Sequence, residues 1–441
     1  MEPLCARAST LVALCTAVAC MVALAPTLVS AYPLDGYADT GIRRVEGSRR
    51  ANEGLVRDNK QPPGALLPTS AVNLWMTSRQ DMDLPPVDPE LTARIVALLG
   101  DKADRYGIAL LDLSDPQHPA YAEHRGDFRQ NVGSVGKLVV ATALFQALAD
   151  TYPNDIARRT EVLRTAHITA DSFAHSDHHT IRLFDPATNT LVRRTVRDGD
   201  LGSLWEWLDW TLSVSSNSAA SMVMRDAMLL RQFGTGYPRP DDEIHRFFHD
   251  TPRADVTDLF ARTFVEPLTR NGFDTAMLRQ ASFFTEEGNK LVTGVGDSYG
   301  TARELAKMML RLEQGRIVDP WSSLQIKRLL YQTERRIRYA SSPALADAAV
   351  YFKSGSLWGC QKELGSDCGP YRGNVRNYMN SVVIVESPAV SPRLHYVVTL
   401  ISNVLRENSA TAHQELGTRI QKLMEELHPV VVVPPAPATT P

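Results

Sequence analysis

The chain has 441 residues, of which 44% are hydrophobic and 22% are charged, and its formal net charge at pH 7 is −3. This slight acidic surplus argues against a binder of nucleic acid or of anionic membranes, because such proteins normally carry a basic excess. A small molecule or a peptide is the more natural partner. The length allows a large core, in one two-lobed domain or in two smaller ones.

The first element along the chain is a nearly uncharged apolar run over residues 9–31, preceded by Arg7. It ends in Val29-Ser30-Ala31, a trio of small residues typical of a signal-peptide cleavage site. We therefore expect residues 1–31 to be a secretory signal that is cut after Ala31, which leaves no stable membrane insertion. Two other interpretations stay open. The run is long enough to remain as a membrane anchor, and residues 17–20 faintly resemble a lipoprotein box.

The cysteines also indicate a secreted protein. Three of the five lie in the leader, so the mature chain would keep only Cys360 and Cys368. An isolated pair in a secreted protein usually forms a disulfide, and two free thiols are the alternative. Closing so short a loop would contribute about 2.5 kcal/mol in the chain-entropy model.

Two segments at the ends of the mature chain are predicted to lie outside the folded unit. Residues 32–87 are polar and contain the pairs Pro62-Pro63 and Pro85-Pro86, so we expect an extended N-terminal arm or linker with at most one short helix. Residues 429–441 are rich in Val, Pro, Ala and Thr, which predicts a disordered tail.

Residues 88–428 form the predicted domain. Apolar residues at helical spacing predict a first helix, and a hairpin, an apolar helix, two further strands and a closing helix follow. In chain order the supporting residues are Leu91, Ile95, Leu98 and Leu99; the strands 107–113 and 120–124 around the turn 114–117; the helical run 133–148; the strands 380–385 and 395–402; and Leu416, Ile420, Leu423 and Leu427. The first and last helices can cover one face of a shared antiparallel sheet.

Three short motifs follow one another in this domain: Ser134-Val135-Gly136-Lys137, Ser215-Ser216-Asn217 and Lys353-Ser354-Gly355. A serine hydroxyl is a poor nucleophile at neutral pH, so it needs a base, a proton carrier for the leaving group and donors for the oxyanion. The three motifs can supply all of these. Each is common by chance, but their order adds weight.

In that order the motifs resemble the S-x-x-K, S-D-N and K-T-G motifs of class A serine β-lactamases and penicillin-binding proteins. The resemblance covers residues 88–428. It implies an α/β (α+β) fold of the β-lactamase/transpeptidase type, in which an antiparallel sheet is flanked by N- and C-terminal helices and carries a helical lobe. Ser216 stands where class A enzymes usually have Asp, which weakens the class A label.

The resemblance also implies roles for the first two motifs. Ser134 would be the nucleophile that becomes acylated, and Lys137, one helical turn further on, its base. Ser215 would relay a proton to the leaving nitrogen, while Asn217 would bind the amide side chain of the substrate. A serine-rich helix start, with Ser215 or Ser216 as the N-cap, is the structural alternative.

The third motif would lie on an edge strand. Lys353 and Ser354 would bind the substrate carboxylate, and Gly355 allows a close backbone approach. The backbone N–H groups of Ser134 and Ser356 would form the oxyanion hole. Arg372 or Arg376 could assist with the carboxylate, although an ordinary surface arginine is the alternative for both.

Release of the acyl group needs an activated water, and the E-x-x-L-N loop of class A enzymes is not found in this sequence. Glu286 and Glu287 are the nearest candidates for the deacylation base, and a solvated loop carboxylate is the alternative for each. Between the first two motifs the chain is about twenty residues longer than is usual in the family, and this segment contains His167, His175, Asp177, His178 and His179. Their spacing fits no standard metal motif, so we expect neither a metal nor a cofactor.

The leading hypothesis is a secreted or periplasmic active-site-serine hydrolase of the β-lactamase type. It would cleave a β-lactam amide next to a carboxylate through an acyl-enzyme. The first alternative is a D-alanyl-D-alanine carboxypeptidase or endopeptidase acting on peptidoglycan stem peptides. The second is a penicillin-binding sensor module that does not turn over.

Overall fold

The computed structural model describes residues 33–334, 336–365 and 367–430. The expected signal, residues 1–31, and residues 431–441 of the expected tail lie outside this range. The described helices are α1 (Tyr37–Thr40), α2 (Arg43–Asn52), α3 (Pro89–Leu99), α4 (Lys137–Thr151), α5 (Ile156–Thr165), α6 (Leu204–Leu212), α7 (Asn217–Phe233), α8 (Asp241–Asp250), α9 (Arg253–Phe264), α10 (Glu266–Arg270), α11 (Glu286–Leu291), α12 (Ala302–Glu313), α13 (Pro320–Tyr331) and α14 (Ser409–Leu427). The strands are β1 (Tyr106–Asp112), β2 (Ala120–His124), β3 (His167–Thr169), β4 (Thr180–Asp185), β5 (Thr190–Thr195), β6 (Leu201–Ser203), β7 (Ala349–Gly359), β8 (Arg376–Ser387) and β9 (Leu394–Asn403).

Five strands form an antiparallel sheet in the order β2-β1-β9-β8-β7. The N-terminal hairpin therefore pairs with C-terminal strands: Ile108 of β1 lies opposite Leu400 of β9. At the far edge, Gly355 of β7 lies opposite Asn380 of β8. One sheet built from both ends of the domain is the arrangement that the sequence predicts.

Successive side chains of these strands enter two different cores, as the two-residue period of a strand requires. Ile108, Leu110 and Val398 pack with α3 and α14 on one face of the sheet. Ala109, Leu111 and Val397 belong to the larger core shared with the helical lobe. The predicted cover of one face by the first and last helices is thus confirmed.

The helical lobe is centred on α4, most of whose side chains are buried. Helix α7 packs along it and carries the second motif at its start. Residues 153–203, which join α4 to α6, form α5, the β3–β6 pair and the β4–β5 hairpin. None of the helices in the described part of the chain combines the length and hydropathy needed to cross a bilayer.

The segment before α3 differs from the extended arm that the sequence predicts. Ile42, Val45, Val72 and Met76 are buried in the main core, and α2 is ten residues long. Arg44 forms a buried ion pair with Asp209 of α6 at 2.6 Å. The prediction failed because the apolar residues of this polar segment are scattered along it and form no periodic pattern. They are nevertheless buried in the main core. The segment is a folded part of the molecule rather than a free linker.

Candidate active site

The first motif lies where a short 3-10 turn, Gly133–Gly136, leads into α4. Gly133 has φ +53°, a conformation that glycine adopts without strain. The edge strand β7 packs directly on this turn: a Cβ on Gly355 would lie 2.0 Å from the carbonyl oxygen of Val132 and 3.0 Å from the backbone nitrogen of Ser134. Only a glycine in β7 permits this approach. Ser134 and Ser356 both line the cleft beside this contact.

Lys137 is fully buried and binds both serine motifs. Its Nζ lies 2.8 Å from Ser134 Oγ, 2.8 Å from the carbonyl oxygen of Ser215 and 2.7 Å from Asn217 Oδ1. Burial lowers the pKa of Lys137 to about 7, and the charge of Asp177 opposes that change only in part. A neutral amine has two hydrogens and one lone pair. Donation to Ser215 and Asn217 would leave that lone pair for the proton of Ser134.

Ser215 connects the two lysines of the site. Its Oγ accepts a hydrogen bond from Lys353 Nζ at 2.8 Å and lies 3.3 Å from Lys137 Nζ. The residue has φ +64°, which is uncommon for a side chain other than glycine. Ser216, the next residue, caps α7 by accepting from the N–H of Ala219. Ser216 is therefore the N-cap of α7, and Ser215 is the serine that contacts both lysines.

The histidine-rich insertion also reaches this site. Asp177 Oδ2 accepts hydrogen bonds from Ser216 Oγ and from the N–H groups of Asn217 and Ser218, at 2.7–3.0 Å. Its Oδ1 lies 2.6 Å from His179 Nδ1. Sequence reasoning missed this contact, because nothing in the spacing links residue 177 to a helix that starts forty residues later. The one sequence feature that could have indicated this contact is Ser216, which stands where class A enzymes usually have Asp. The start of α7 therefore has no carboxylate of its own.

The cleft has a volume of about 490 Å³ and is lined by residues from each of the three motifs. Its lining also includes the exposed Trp358 and residues that the sequence did not identify. Arg338 is the main one: its Nη1 donates to the carbonyl oxygen of Gly355 at 2.7 Å, and its guanidinium lies 5.0 Å from the ring centre of Tyr371. The polar residues of the lining are Ser134, His178, His179, Ser213, Ser215, Asn217, Thr333, Arg338, Lys353, Ser354, Ser356 and Tyr371.

Four predicted residues are not brought into this cleft. The carboxylates of Glu286 and Glu287 bind Lys290 on the same helix, at 3.2 and 2.7 Å, and Arg372 binds Asp367. These three and Arg376 are absent from the cleft lining within the described residues. Beside Lys137 lies an aromatic ring, that of Phe284, whose centre is 4.6 Å from Lys137 Nζ.

The predicted disulfide between Cys360 and Cys368 is confirmed. It closes the loop that follows β7, between Trp358 on one side and Tyr371 on the other. The cross-link therefore lies at one rim of the cleft.

Two groups of side chains have the composition of metal ligands within the described ranges. In the first, Glu313 and Glu386 hold the ammonium of Lys327 at 2.6 and 2.7 Å, which supplies the positive charge there. In the second, Asp177, His178 and His179 lie together, but both oxygens of Asp177 already accept several hydrogen bonds. Neither group of side chains therefore needs a bound metal ion to balance its charge or its hydrogen bonds.

A family model described as "Beta-lactamase enzyme family" matches residues 90–366 of this chain. The chain belongs to the β-lactamase enzyme family. It is a serine hydrolase of the β-lactamase and penicillin-binding type, with the α/β fold that the sequence predicts. A search of curated proteins found no match.

Solved structures that resemble this β-lactamase-family chain have low sequence identity to it. A mutant of PBP-A, solved as an acyl-enzyme complex with penicillin G, has 14% identity over 78% of this chain and 100% of that one, with a TM-score of 0.49. A β-lactamase from Sphaerobacter thermophilus has 14% identity over 79% and 100%, with a TM-score of 0.48. One from Xanthomonas campestris pv. campestris has 17% identity over 76% and 97%, also with 0.48.

Proposed function

We propose that this serine hydrolase cleaves a β-lactam amide next to a carboxylate, through an acyl-enzyme on Ser134. The observation that carries the proposal is the 2.8 Å separation of Ser134 Oγ from the buried Nζ of Lys137. A lysine with a pKa of about 7 is in part neutral at physiological pH. It can therefore take the proton of Ser134 as the hydroxyl attacks the carbonyl carbon.

The remaining residues would serve the same step. The N–H groups of Ser134 and Ser356 would stabilise the oxyanion, a contribution for which losing one donor costs about 10²–10³ in rate. Ser215 would pass a proton to the leaving nitrogen, since its Oγ lies within 3.3 Å of both Lys137 and Lys353. Asn217 Oδ1 is bound by Lys137, so its amide N–H₂ would be the group that meets the acyl side chain.

The substrate carboxylate would bind at Lys353 and Ser354. Arg338 adds a second positive charge to the same cleft, in the role that the sequence assigned to Arg372 or Arg376. Two cations in one cleft favour an anionic substrate. β-Lactams and peptides that end in D-Ala-D-Ala both carry this carboxylate, so the cleft chemistry suits both.

A second candidate is a penicillin-binding peptidase or sensor that acylates and releases slowly. Two observations favour it: no carboxylate belongs to the cleft lining among the described residues, and Phe284 lies beside Lys137. We further propose that the protein is exported, because a disulfide persists in an oxidising compartment. The expected signal at residues 1–31 agrees with this.

The deciding experiment is incubation of the mature protein with a chromogenic cephalosporin, following colour and intact mass together. Repeated turnover with a transient mass gain supports β-lactamase activity. A persistent adduct on Ser134 supports the second candidate. The matched control is Ser134→Ala, which should lose the adduct. Labelling that persisted in this variant would contradict the assignment of the nucleophile.

A further inference from the structure

His179 lines the same cleft as Ser134 and is bound by the buried Asp177, and its ring takes no part in the proposed acylation step. His179 lines this cleft, and its side chain is 14% exposed while that of Asp177 is 2% exposed. We propose that His179, oriented by Asp177, is the base that activates the water for release of the acyl group from Ser134. This inference rests on the proposed function, since it requires an acyl-enzyme.

Asp177 is held rigidly enough to orient a ring. The start of α7 gives its Oδ2 three hydrogen bonds, and Oδ1 accepts from the N–H of His179 at 3.1 Å in addition to meeting the ring. Burial raises the pKa of Asp177, but the contacts with His179 and the backbone donor of Ser218 outweigh it and hold the pKa well below its usual range. The carboxylate is thus ionised at neutral pH and acts as an acceptor only.

An ionised Asp177 fixes the tautomer of His179. Because the carboxylate can only accept, Nδ1 of His179 carries the hydrogen of their 2.6 Å contact. The neutral ring then has its lone pair on Nε2. No hydrogen bond to this Nε2 is found among the described residues, so the atom is available to a water in the cleft. An imidazole oriented through one nitrogen by a buried carboxylate is the arrangement of a general base in serine hydrolases.

The surroundings also keep His179 neutral. Burial lowers its pKa; the contact with Asp177 opposes this, and the charges of Lys137 and His178 add to the lowering. These are the titratable groups that influence the ring. Asp177 belongs to the same segment, whereas Lys137 is on α4. A ring that is unprotonated near neutral pH can accept a proton from water.

The step balances without any further reactant. As the water oxygen bonds to the acyl carbon, one water proton moves to His179 Nε2. The tetrahedral intermediate then collapses, the bond between that carbon and Ser134 Oγ breaks, and the serine oxygen takes up the proton that His179 Nε2 accepted, which returns the ring to its neutral form. The products are free Ser134 and a carboxylic acid, which ionises. Asp177 is a positioning residue, and His179 is the group that meets the reacting water.

The test is to compare acyl release in the wild type and in His179→Gln, with penicillin G and intact-mass detection. We expect acylation within about twofold of the wild type and release slowed by about 100-fold or more, the usual contribution of a general base. The matched control is His175→Gln. His175 pairs with Asp198 at 2.6 Å in the same insertion, but it is not part of the cleft, so both rates should stay unchanged.

Two further measurements separate a catalytic role from a structural one. Wild-type release should fall as the pH drops below the pKa of His179, and this dependence should vanish in His179→Gln. If that variant does not fold, His179→Ala with added imidazole replaces it, and recovery of release by imidazole supports the proposal. No recovery at any imidazole concentration contradicts it.

The remaining outcomes are distinct. An adduct that the variant releases as fast as the wild type overturns the role of His179 and leaves the proposed function intact. A wild-type adduct that is never released also overturns this role. No adduct on wild-type Ser134 overturns the proposed function itself. Loss of release in EDTA, restored by Zn²⁺, would assign the water to a metal instead of to His179.

Discussion

Lys353 donates a hydrogen bond to Ser215 Oγ at 2.8 Å and so joins the edge strand β7 to the helical lobe. Lys137 lies 3.3 Å from the same oxygen. Two ammonium groups that share a hydroxyl cannot both be charged without cost in a buried site. The arrangement favours a neutral Lys137, since burial lowers the pKa of this lysine to about 7. Under the proposed function, the proton of Ser134 would then pass to the leaving nitrogen through Ser215.

The acylation rate should depend on pH through Lys137. Its pKa of about 7 lies below the ordinary value of a lysine, and only the neutral amine accepts the proton of Ser134. We therefore expect the rate to rise with pH through about 7 and to level off above. Stopped-flow measurement of acylation by a chromogenic cephalosporin checks this. A profile that is flat from well below to well above this pKa would contradict Lys137 as the base.

Gly355→Ala should damage acylation without unfolding the protein. The new Cβ would lie 2.0 Å from a backbone oxygen of the turn that carries Ser134, and no rotamer change relieves a backbone clash. Misplacing a reactive group by about 1 Å can lower the rate about 100-fold. Gly369→Ala is the control, because a Cβ there meets nothing within 4 Å. Equal rates for both variants would show that the close approach is not needed.

The sheet and the contact between Ser134 and Lys137 were predictable because local patterns encode them. The hairpin strands were expected at 107–113 and 120–124 and occur at Tyr106–Asp112 and Ala120–His124. Strand alternation and helical spacing are properties of consecutive residues, so the sequence shows them directly. The contact of Lys137 with Ser134 is local as well, since the two residues are three positions apart along one turn.

Contacts between distant segments could not be predicted. Asp177 contacts the start of α7 across forty residues, and Arg338 contributes to the cleft from a short 3-10 helix, Arg338–Ser341, that carries no motif. The opposite holds for Glu286, which the sequence offered as a base but which the structure pairs with Lys290 at the surface. The burial of Arg44 could not be predicted from the polar composition of residues 32–87, because an arginine is expected to be exposed to solvent unless its ion-pair partner is known.

Arg44→Ala should destabilise the fold strongly. The guanidinium and the Asp209 carboxylate are 2% and 0% exposed, at 2.6 Å, so the variant leaves a buried carboxylate without its partner. Such a loss typically costs about 3–5 kcal/mol. Chemical denaturation of the mature protein measures the change.

The neighbouring Arg43→Ala is the control for this variant. Arg43 also pairs with a carboxylate of α6, that of Glu206, but its side chain is 40% exposed. Since Glu206 is 6% exposed but keeps the N–H of Ser203 as a donor when Arg43 is removed, we expect a smaller loss of stability than for Arg44→Ala. If both variants lost the same free energy of unfolding, the buried Arg44–Asp209 pair would contribute no more to stability than the Arg43–Glu206 pair.

Reduction of the disulfide should lower the stability of the mature protein by about 2.5 kcal/mol, because Cys360 and Cys368 close a short loop. Since this loop borders the cleft beside Trp358 and Tyr371, we expect weaker substrate binding as well. Denaturation curves with and without a reductant give the first quantity, and the substrate dependence of acylation gives the second. The double variant Cys360→Ser/Cys368→Ser should match the reduced wild type and show no response to the reductant. A response of equal size in that variant would mean that the reductant acts elsewhere.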